Sequence, residues 1–327
     1  MRYVMGIDQG GSKTYAIIVS ETGEVLGFGR SDGTCLSDGK PGKNLDYVEE
    51  AAYNALNQSG LALEQMDYIA AGLTGIDWED EAGVLKAALQ QRFHKEEICV
   101  VNDCIIAMRA GSSSEVSAVI CVGSGTNCAV RNRDEMFIYG FYVPDEYQGG
   151  WSLGKKAVQA VFDAEMGLTG PTALRDILLD YFHVDSVDAL LYKRATSGIA
   201  DREYLGIPIL LEQAALDNDA AALAIWEDFG RHLAGFITAR MRLMGILDEK
   251  IEIVLSGSIM KCKLPRFIQV VTEEITRLAP NAQVRSSVYE PIVGAALLGL
   301  DRLYGSKLPE TVYENIEKSA NRYDIKR

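Results

Sequence analysis

The 327-residue sequence is 48% hydrophobic and 24% charged, which is typical of a globular protein long enough to form two domains. Its formal net charge of −14 argues against nucleic acid or an anionic membrane as a partner, because no basic excess is available to pair with phosphates. We find no signal-peptide pattern and no apolar run of the roughly 18 residues that a spanning helix needs, so we expect a cytoplasmic protein that acts on a small molecule.

The chain opens with a glycine-rich stretch, GIDQGGSKT, from Gly6 to Thr14. A phosphate-binding P-loop would have no serine between its last glycine and its lysine, and residues 15–19 predict a strand where a P-loop needs a helix. Two strands joined by a glycine turn form a hairpin whose tip offers backbone N–H groups to phosphates, with Asp8 beside it as a candidate Mg²⁺ ligand. The alternative is an ordinary hairpin with a glycine tip.

The next region alternates helices and buried strands. Helical periodicity covers residues 45–56 and 79–93, and strands are predicted at 67–73 and 98–104. The second of these strands ends in Asn102-Asp103, at the strand edge where open α/β sheets bind their ligands. Asp103 is therefore either the N-cap of the following helix or a carboxylate that accepts a proton from an attacking hydroxyl.

The opening pattern recurs at residues 117–130, again as an apolar strand, a glycine and hydroxyl tip, and a returning strand. The tip residues Gly125-Thr126 match Gly11-Ser12 of the first copy, whereas Val122 stands where the first copy has Asp8. A repeat with so long a spacing indicates two similar domains facing each other, of which only the first supplies the metal-side carboxylate. A chance resemblance between two glycine hairpins is the alternative.

Helices predominate in the rest of the chain. A strand at 251–255 ends in a Ser-Gly-Ser turn that suits contact with a base and ribose, although a plain βα loop has the same form. Residues 291–300 predict an apolar helix with small residues that let another backbone come close, and those from Glu310 onward a surface helix or a loose tail. The other predictions are helices at 155–166, 171–182, 187–195, 218–244 and 264–278 and a short strand at 282–285.

Five motifs occur in the order typical of the sugar kinase, Hsp70 and actin superfamily: GIDQGGSKT, NDC, VGSGTN, LSGS and PIVGAALLGL. Within it the sequence most resembles the BadF/BadG/BcrA/BcrD-type ATPase group, which includes N-acetylglucosamine kinases, and the similarity spans nearly the whole chain. The resemblance implies an α/β fold of two ribonuclease-H-like, actin-like ATPase domains facing an interdomain cleft. ATP and Mg²⁺ would lie between the domains and the sugar deeper in the cleft.

The resemblance also implies domain limits. We expect an N-terminal domain at residues 1–115, a C-terminal domain with a helical insertion at 116–290 and a polar tail at 306–327. The helix at about 291–305 is expected to pack back onto the first domain. Members of the group are often dimers, so a homodimer is expected on the same basis.

Site roles carry over from the resemblance motif by motif. Asp8 looks like the Mg²⁺-directing aspartate and Asp103 like the general base, with Asn102 beside it on the sugar side. Three elements would bind the nucleotide. The first phosphate loop is Gly10, Gly11, Ser12, Lys13 and Thr14, and the second is Gly123, Ser124, Gly125, Thr126 and Asn127. The adenosine turn is Gly257 and Ser258.

The expected sugar pocket departs from the group's pattern in two places. The group has a G-G-W turn, then the sequence G-D-E-G-S, then a helix. Here Asp145-Glu146 matches the acidic pair of that sequence, but the residues that flank the pair differ. Asp145 is expected to bind sugar hydroxyls. A second alignment sets 149–151 on the G-G-W turn and deletes the acidic pair; we prefer the first because the predicted helix at 155–166 then follows as it should. Cys35 stands where the group often has an asparagine.

These observations favour an ATP-dependent carbohydrate kinase that phosphorylates a hydroxyl of a sugar or amino sugar, similar to N-acetylglucosamine kinase. One alternative is a BadF-type ATPase that activates a partner enzyme, but the spacing of the six cysteines does not resemble iron–sulfur ligands. The other is a nucleotide-binding sensor without acceptor chemistry.

Overall fold

A computed structural model describes residues 1–33, 41–78, 80–305, 307–323 and 325 of the chain. The first half is built on a five-stranded sheet in the order β3-β2-β1-β4-β5. Strand β1 pairs antiparallel with β2 and parallel with β4, so the sheet is mixed. Its strands are β1 Tyr3–Gln9, β2 Lys13–Ser20, β3 Val25–Asp32, β4 Met66–Leu73 and β5 Ile98–Asn102.

The second half repeats this arrangement. Its five-stranded sheet has the order β10-β9-β6-β7-β8, in which the leading strand β6 again pairs antiparallel with the next strand and parallel with the fourth. The two orders are the same when read from the leading strand, so the predicted repeat of an α/β unit is confirmed. Its strands are β6 Val116–Val122, β7 Thr126–Asn132, β8 Glu135–Ile138, β9 Glu252–Ser256 and β10 Gln283–Ser286.

Twelve helices are assigned within the described residues. Several start where the sequence offers a cap or a proline: the Asp219 side chain accepts a hydrogen bond from the Ala222 N–H, and Pro265 and Pro291 open helices. The helices are α1 Lys43–Ser59, α2 Glu81–Phe93, α3 Asp103–Gly111, α4 Gly149–Glu165, α5 Leu174–Phe182, α6 Val187–Thr196, α7 Asp201–Gly206, α8 Pro208–Leu216, α9 Ala220–Leu243, α10 Pro265–Leu278, α11 Pro291–Tyr304 and α12 Glu310–Ala320.

Helices α3 and α11 pack against each other, and α11 also lies on strand β1. Glycines make these approaches close: a Cβ on Gly294 would lie 1.9 Å from the Ile106 carbonyl oxygen, and one on Gly6 would lie 2.6 Å from the Ala296 nitrogen. The sequence prediction that small residues on this helix admit another backbone is therefore confirmed. Helix α3 also contacts strands β6 and β9, so it joins the two sheets and fixes their strand ends relative to each other.

Two sequence predictions need correction. Helix α4 begins at Gly149 and not at Lys155, because its first turn hydrogen-bonds to the loop between β6 and β7. The described part of the segment after Glu310 is not a loose tail: α12 buries Val312 and Ile316 in an apolar cluster with residues of β1 to β3 and α11. Residues 34–40, which include the altered sugar contact at Cys35, lie outside the described residues.

In the described part of the chain no helix is long and apolar enough to span a membrane.

Candidate active site

The first glycine loop, Gly10–Ser12, joins β1 to β2 and is open at its tip. A Cβ on Gly11 would meet no atom within 4 Å, and the backbone N–H groups of Gly11 and Ser12 donate to no residue among those described. Lys13 is exposed, with its ammonium 4.4 Å from the Tyr15 ring centroid. Thr14 is fully buried and its hydroxyl donates to the Asp32 carbonyl at 2.7 Å. Of the residues predicted to form the phosphate loop, those before Thr14 are therefore the ones that a ligand can reach.

The second glycine loop, Gly123–Gly125, is held by the first turn of α4. The N–H of Gly150 donates to the Gly123 carbonyl at 2.9 Å, and the N–H of Gly149 donates to the Thr126 hydroxyl at 2.8 Å. These bonds use the loop carbonyls and the Thr126 hydroxyl as acceptors. The N–H groups of Ser124 and Gly125, which are exposed, have no partner among the described residues. This orientation is suited to an anion.

The Ser-Gly-Ser turn after β9 packs directly on the second loop. Gly257 has φ +95°, and a Cβ there would lie 2.2 Å from the carbonyl oxygen of Val122, the last residue of β6. A Cβ on Gly123 would lie 3.8 Å from the Ser258 hydroxyl oxygen. The two elements predicted to bind phosphates and adenosine are therefore neighbours, and the contact requires glycine at position 257.

Asp8 and Asp103 belong to one electrostatic site. Asp8 lies near the end of β1, and burial, followed by the charges of Asp103 and Glu290 and opposed by that of Lys13, raises its pKa to about 7. Burial, followed by the charge of Asp77, raises the pKa of Asp103 to about 6, although the Thr74 hydroxyl donates a hydrogen bond to it. The charge of Asp103 thus reaches Asp8, and the two carboxylates belong to the same neighbourhood.

Asn102 has a structural role. It is the N-cap of α3: its Oδ1 accepts from the Cys104 N–H at 2.9 Å and its Nδ2 donates to the Ile76 carbonyl at 2.7 Å. Asn127 Nδ2 donates to Asn102 Oδ1 at 3.3 Å, which brings the second loop beside Asp103. The alternative that Asp103 is the N-cap is wrong, since the cap is Asn102 and Asp103 is the first helical residue.

Asp145 and Glu146 lie apart from this site. They are exposed residues in a short 3₁₀ turn at 145–147 and line a cavity of about 460 Å³. Asp8 and Asp103 do not line that cavity, whose other lining residues are Trp151, Ser152, Lys155, Lys156, Gln159, Arg194 and Tyr204. The structure therefore links the second glycine loop to the residue before Asp103 through Asn127 and Asn102, and it places Asp145 and Glu146 in a cavity that neither Asp8 nor Asp103 lines.

Sequence reasoning missed two carboxylates near the site. Asp77 follows β4, which lies between β1 and β5 in the sheet, and it affects the pKa of Asp103. Glu290 precedes α11, affects the pKa of Asp8 and forms an ion pair with Lys261. The signal for Asp77 was available, because all three parallel strands end at the edge where ligands bind; Glu290 gives no comparable local pattern.

The residues fit a magnesium ion only in combination with a ligand. Within the described residues, no group of three or more His, Cys, Asp or Glu side chains could hold a metal ion by itself. Mg²⁺ is usually bound through one or two carboxylates together with phosphate oxygens and waters. Asp8 satisfies this pattern, because it is an oxygen ligand beside a loop suited to phosphates and no described residue donates a hydrogen bond to it.

A family model for the BadF/BadG/BcrA/BcrD ATPase family matches residues 5–299. The chain belongs to this family. The N-acetylmuramic acid/N-acetylglucosamine kinase of Clostridium acetobutylicum is 23% identical over 264 residues, covering 80% of this chain and 86% of that protein. The N-acetyl-D-glucosamine kinase of Dictyostelium discoideum is 23% identical over 314 residues, covering 91% of this chain and 97% of that protein.

The fold of this chain is also similar to those of solved structures. A ROK family glucokinase from Streptomyces griseus, in complex with glucose and AMPPNP, superposes with a TM-score of 0.60 at 19% identity, covering 91% of this chain and 99% of that one. This likeness over nearly the full length confirms the predicted fold class.

Proposed function

We propose that this member of the family is a carbohydrate kinase that transfers the γ-phosphoryl group of ATP to a hydroxyl of a sugar or amino sugar. The observation that carries the proposal is that Asp8 and Asp103 share one electrostatic site beside two glycine loops, whose outward N–H groups have no partner among the described residues. The family membership and the sugar kinases among its relatives support the same reaction.

Each element has a proposed role in transfer. The N–H groups of Gly11 and Ser12 in the first loop, together with the Lys13 side chain, and those of Ser124 and Gly125 in the second bind the phosphates. Gly257-Ser258 contacts the adenosine. Asp8 would hold Mg²⁺, which when bound would supply positive charge to the phosphate oxygens. Asp103 accepts the proton of the attacking sugar hydroxyl as its oxygen forms a bond to the γ-phosphorus and ADP leaves.

The two sheet-centred halves are proposed to act as two domains that close on their ligands. Residues 1–115 together with α11 form one, and residues 116–290 form the other. The contact between Asn102 and Asn127 lies at their junction, next to Asp103. Closure would exclude water from the transferring phosphoryl group, which limits ATP hydrolysis in the absence of a sugar.

The test is ADP formation with Mg²⁺-ATP across a panel of sugars and amino sugars. We expect turnover that depends on a sugar and falls about 10²- to 10⁴-fold in Asp103→Asn, because the amide cannot accept the proton. Asp176→Asn is a matched control, since its side chain is 83% exposed and lies on α5. Turnover only with a partner protein would indicate an activating ATPase, and no turnover would indicate a sensor; either result would contradict the proposal.

A further inference from the structure

The loop between β4 and α2 is held rigidly beside Asp103. The Asn102 side chain donates to the Ile76 carbonyl at 2.7 Å, and the backbone N–H groups of Asp77 and Trp78 both donate to the same Glu81 carboxylate oxygen, at 2.8 and 2.9 Å. These bonds fix the backbone on both sides of the Asp77 side chain. Asp77 is therefore a fixed feature of the site and not a freely moving surface carboxylate.

The Asp77 carboxylate has no partner in the part of the protein that the structure describes. It is half-buried, yet no described residue donates a hydrogen bond to it or forms an ion pair with it. Burial, followed by the charge of Glu81, raises its pKa. A half-buried carboxylate without a partner is costly in free energy, and such groups are commonly found where a ligand supplies the missing hydrogen bond.

The second half of the protein closes over Asp77. Gly140 has φ +48°, and a Cβ there would lie 2.5 Å from the Asp77 Oδ1. The Gly140 N–H donates to Asn127 Oδ1 at 3.0 Å, so this backbone is tied to the residue that follows the second glycine loop. Beyond it, Trp78 and Phe141 stack across the junction with ring centroids 6.1 Å apart, although the two residues are 61% and 67% exposed.

Two carboxylates and an apolar rim thus lie together at one end of the site. Asp103 and Asp77 are both acceptors when ionised, so a molecule bound between them must offer two hydrogen-bond donors. The exposed faces of Trp78 and Phe141 provide apolar area beside those acceptors. A pyranose combines these features, since its hydroxyl or amino groups donate while its C–H face packs on an aromatic ring.

We propose that Asp77 is an acceptor-binding residue: it accepts a hydrogen bond from a hydroxyl or amino group of a cyclic sugar adjacent to the hydroxyl that Asp103 deprotonates, and Trp78 with Phe141 forms the rim against which the sugar ring packs. This inference rests on the proposed kinase function. It also accounts for Gly140, because any side chain there would fill the space that Asp77 needs.

The test compares Asp77→Asn with Asp80→Asn, a control in the same segment whose exposed side chain caps no backbone N–H. We expect Asp77→Asn to raise the KM for the sugar about 10- to 100-fold, the cost of a hydrogen bond to a charged group, and to leave the KM for ATP unchanged. Removing the Asp77 charge should also move the acid limb of the kcat/KM profile to lower pH, which a merely structural role would not do. Asp80→Asn should match the wild type in all three measurements.

Sugars that each lack one hydroxyl or amino group identify the partner of Asp77. The analogue that lacks this group should bind poorly to the wild type and lose little more affinity in Asp77→Asn. A wild type that phosphorylates sugars while Asp77→Asn keeps the same sugar KM and the same acid limb would overturn this inference alone. A wild type without sugar-dependent turnover would overturn both this inference and the proposed function.

Discussion

The pH dependence of phosphorylation follows from the surroundings of Asp103. Burial and the neighbouring charge of Asp77 raise its pKa to about 6, and Asp8 is the further carboxylate in the same site. A general base works only when ionised, so kcat/KM for the sugar should rise with pH through about 6 and reach a plateau above it. At pH 5 the ionised fraction, and with it the rate, should be roughly a tenth of the plateau.

The assay must keep the protonation state of Asp8 constant. Asp8 has a pKa of about 7 when no cation is bound, so kcat/KM for the sugar should be measured at saturating Mg²⁺-ATP, which favours its ionised form. In Asp103→Asn the limb near pH 6 should disappear together with about 10²- to 10⁴-fold of the rate. An unchanged limb in this variant would refute the assignment, as would a wild-type limb near the ordinary aspartate pKa of about 4.

Further predictions concern the turn after β9 and the charged end of β1. Gly257→Ala should destabilise the fold by about 2 kcal/mol or more in denaturant unfolding and weaken ATP binding, because its Cβ would lie 2.2 Å from the Val122 carbonyl oxygen. The control is Gly235→Ala, whose Cβ meets open space and which should be neutral or slightly stabilising in the same measurement. Asp8→Asn should raise the Tm of the ligand-free protein by about 2 °C or more at pH 8 and by less than half as much at pH 5, because a carboxyl pKa raised from 3.8 to about 7 means that stability falls as pH rises from about 4 to 7. Asn127→Ala should cost about 1–3 kcal/mol in chemical unfolding, since the N–H groups of Cys128 and Gly140 lose their acceptor; an Asp8 or Asn127 variant indistinguishable from the wild type would contradict these reasons.

The features that could be predicted from the sequence are those that depend on residues close together in the chain. Two glycine hairpins in the same register predicted the repeated unit, and the two sheets share one strand order. Asp8 and Asp103 could be singled out because each stands near a strand end, where the sheet itself positions the side chain, although their roles stay predictions. The turn at Gly257 was found for the same reason, as a break between a strand and a helix.

The features that were missed depend on contacts between distant parts of the chain. The start of α4 at two glycines reads locally as a turn, and it becomes helical because a backbone without side chains can approach Gly123 and Gly125. Asp77 could have been found from its place after β4, whereas the approach of Gly140 from the other half to its carboxylate follows from no local pattern. Helix α12 is amphipathic, but the sequence does not say which strands will cover its apolar face.

Recovery of the γ-phosphoryl group tests the central claim most directly. ATP labelled at its γ-phosphate would be incubated with Mg²⁺, the enzyme and the sugar that gives the fastest ADP formation, and the labelled products would be separated. We predict one labelled sugar phosphate for each ADP formed, and loss of that product in Asp103→Asn without loss of ATP binding. Label found only in inorganic phosphate would contradict the account, because it would mean that the site hydrolyses ATP and does not transfer its phosphoryl group to a sugar.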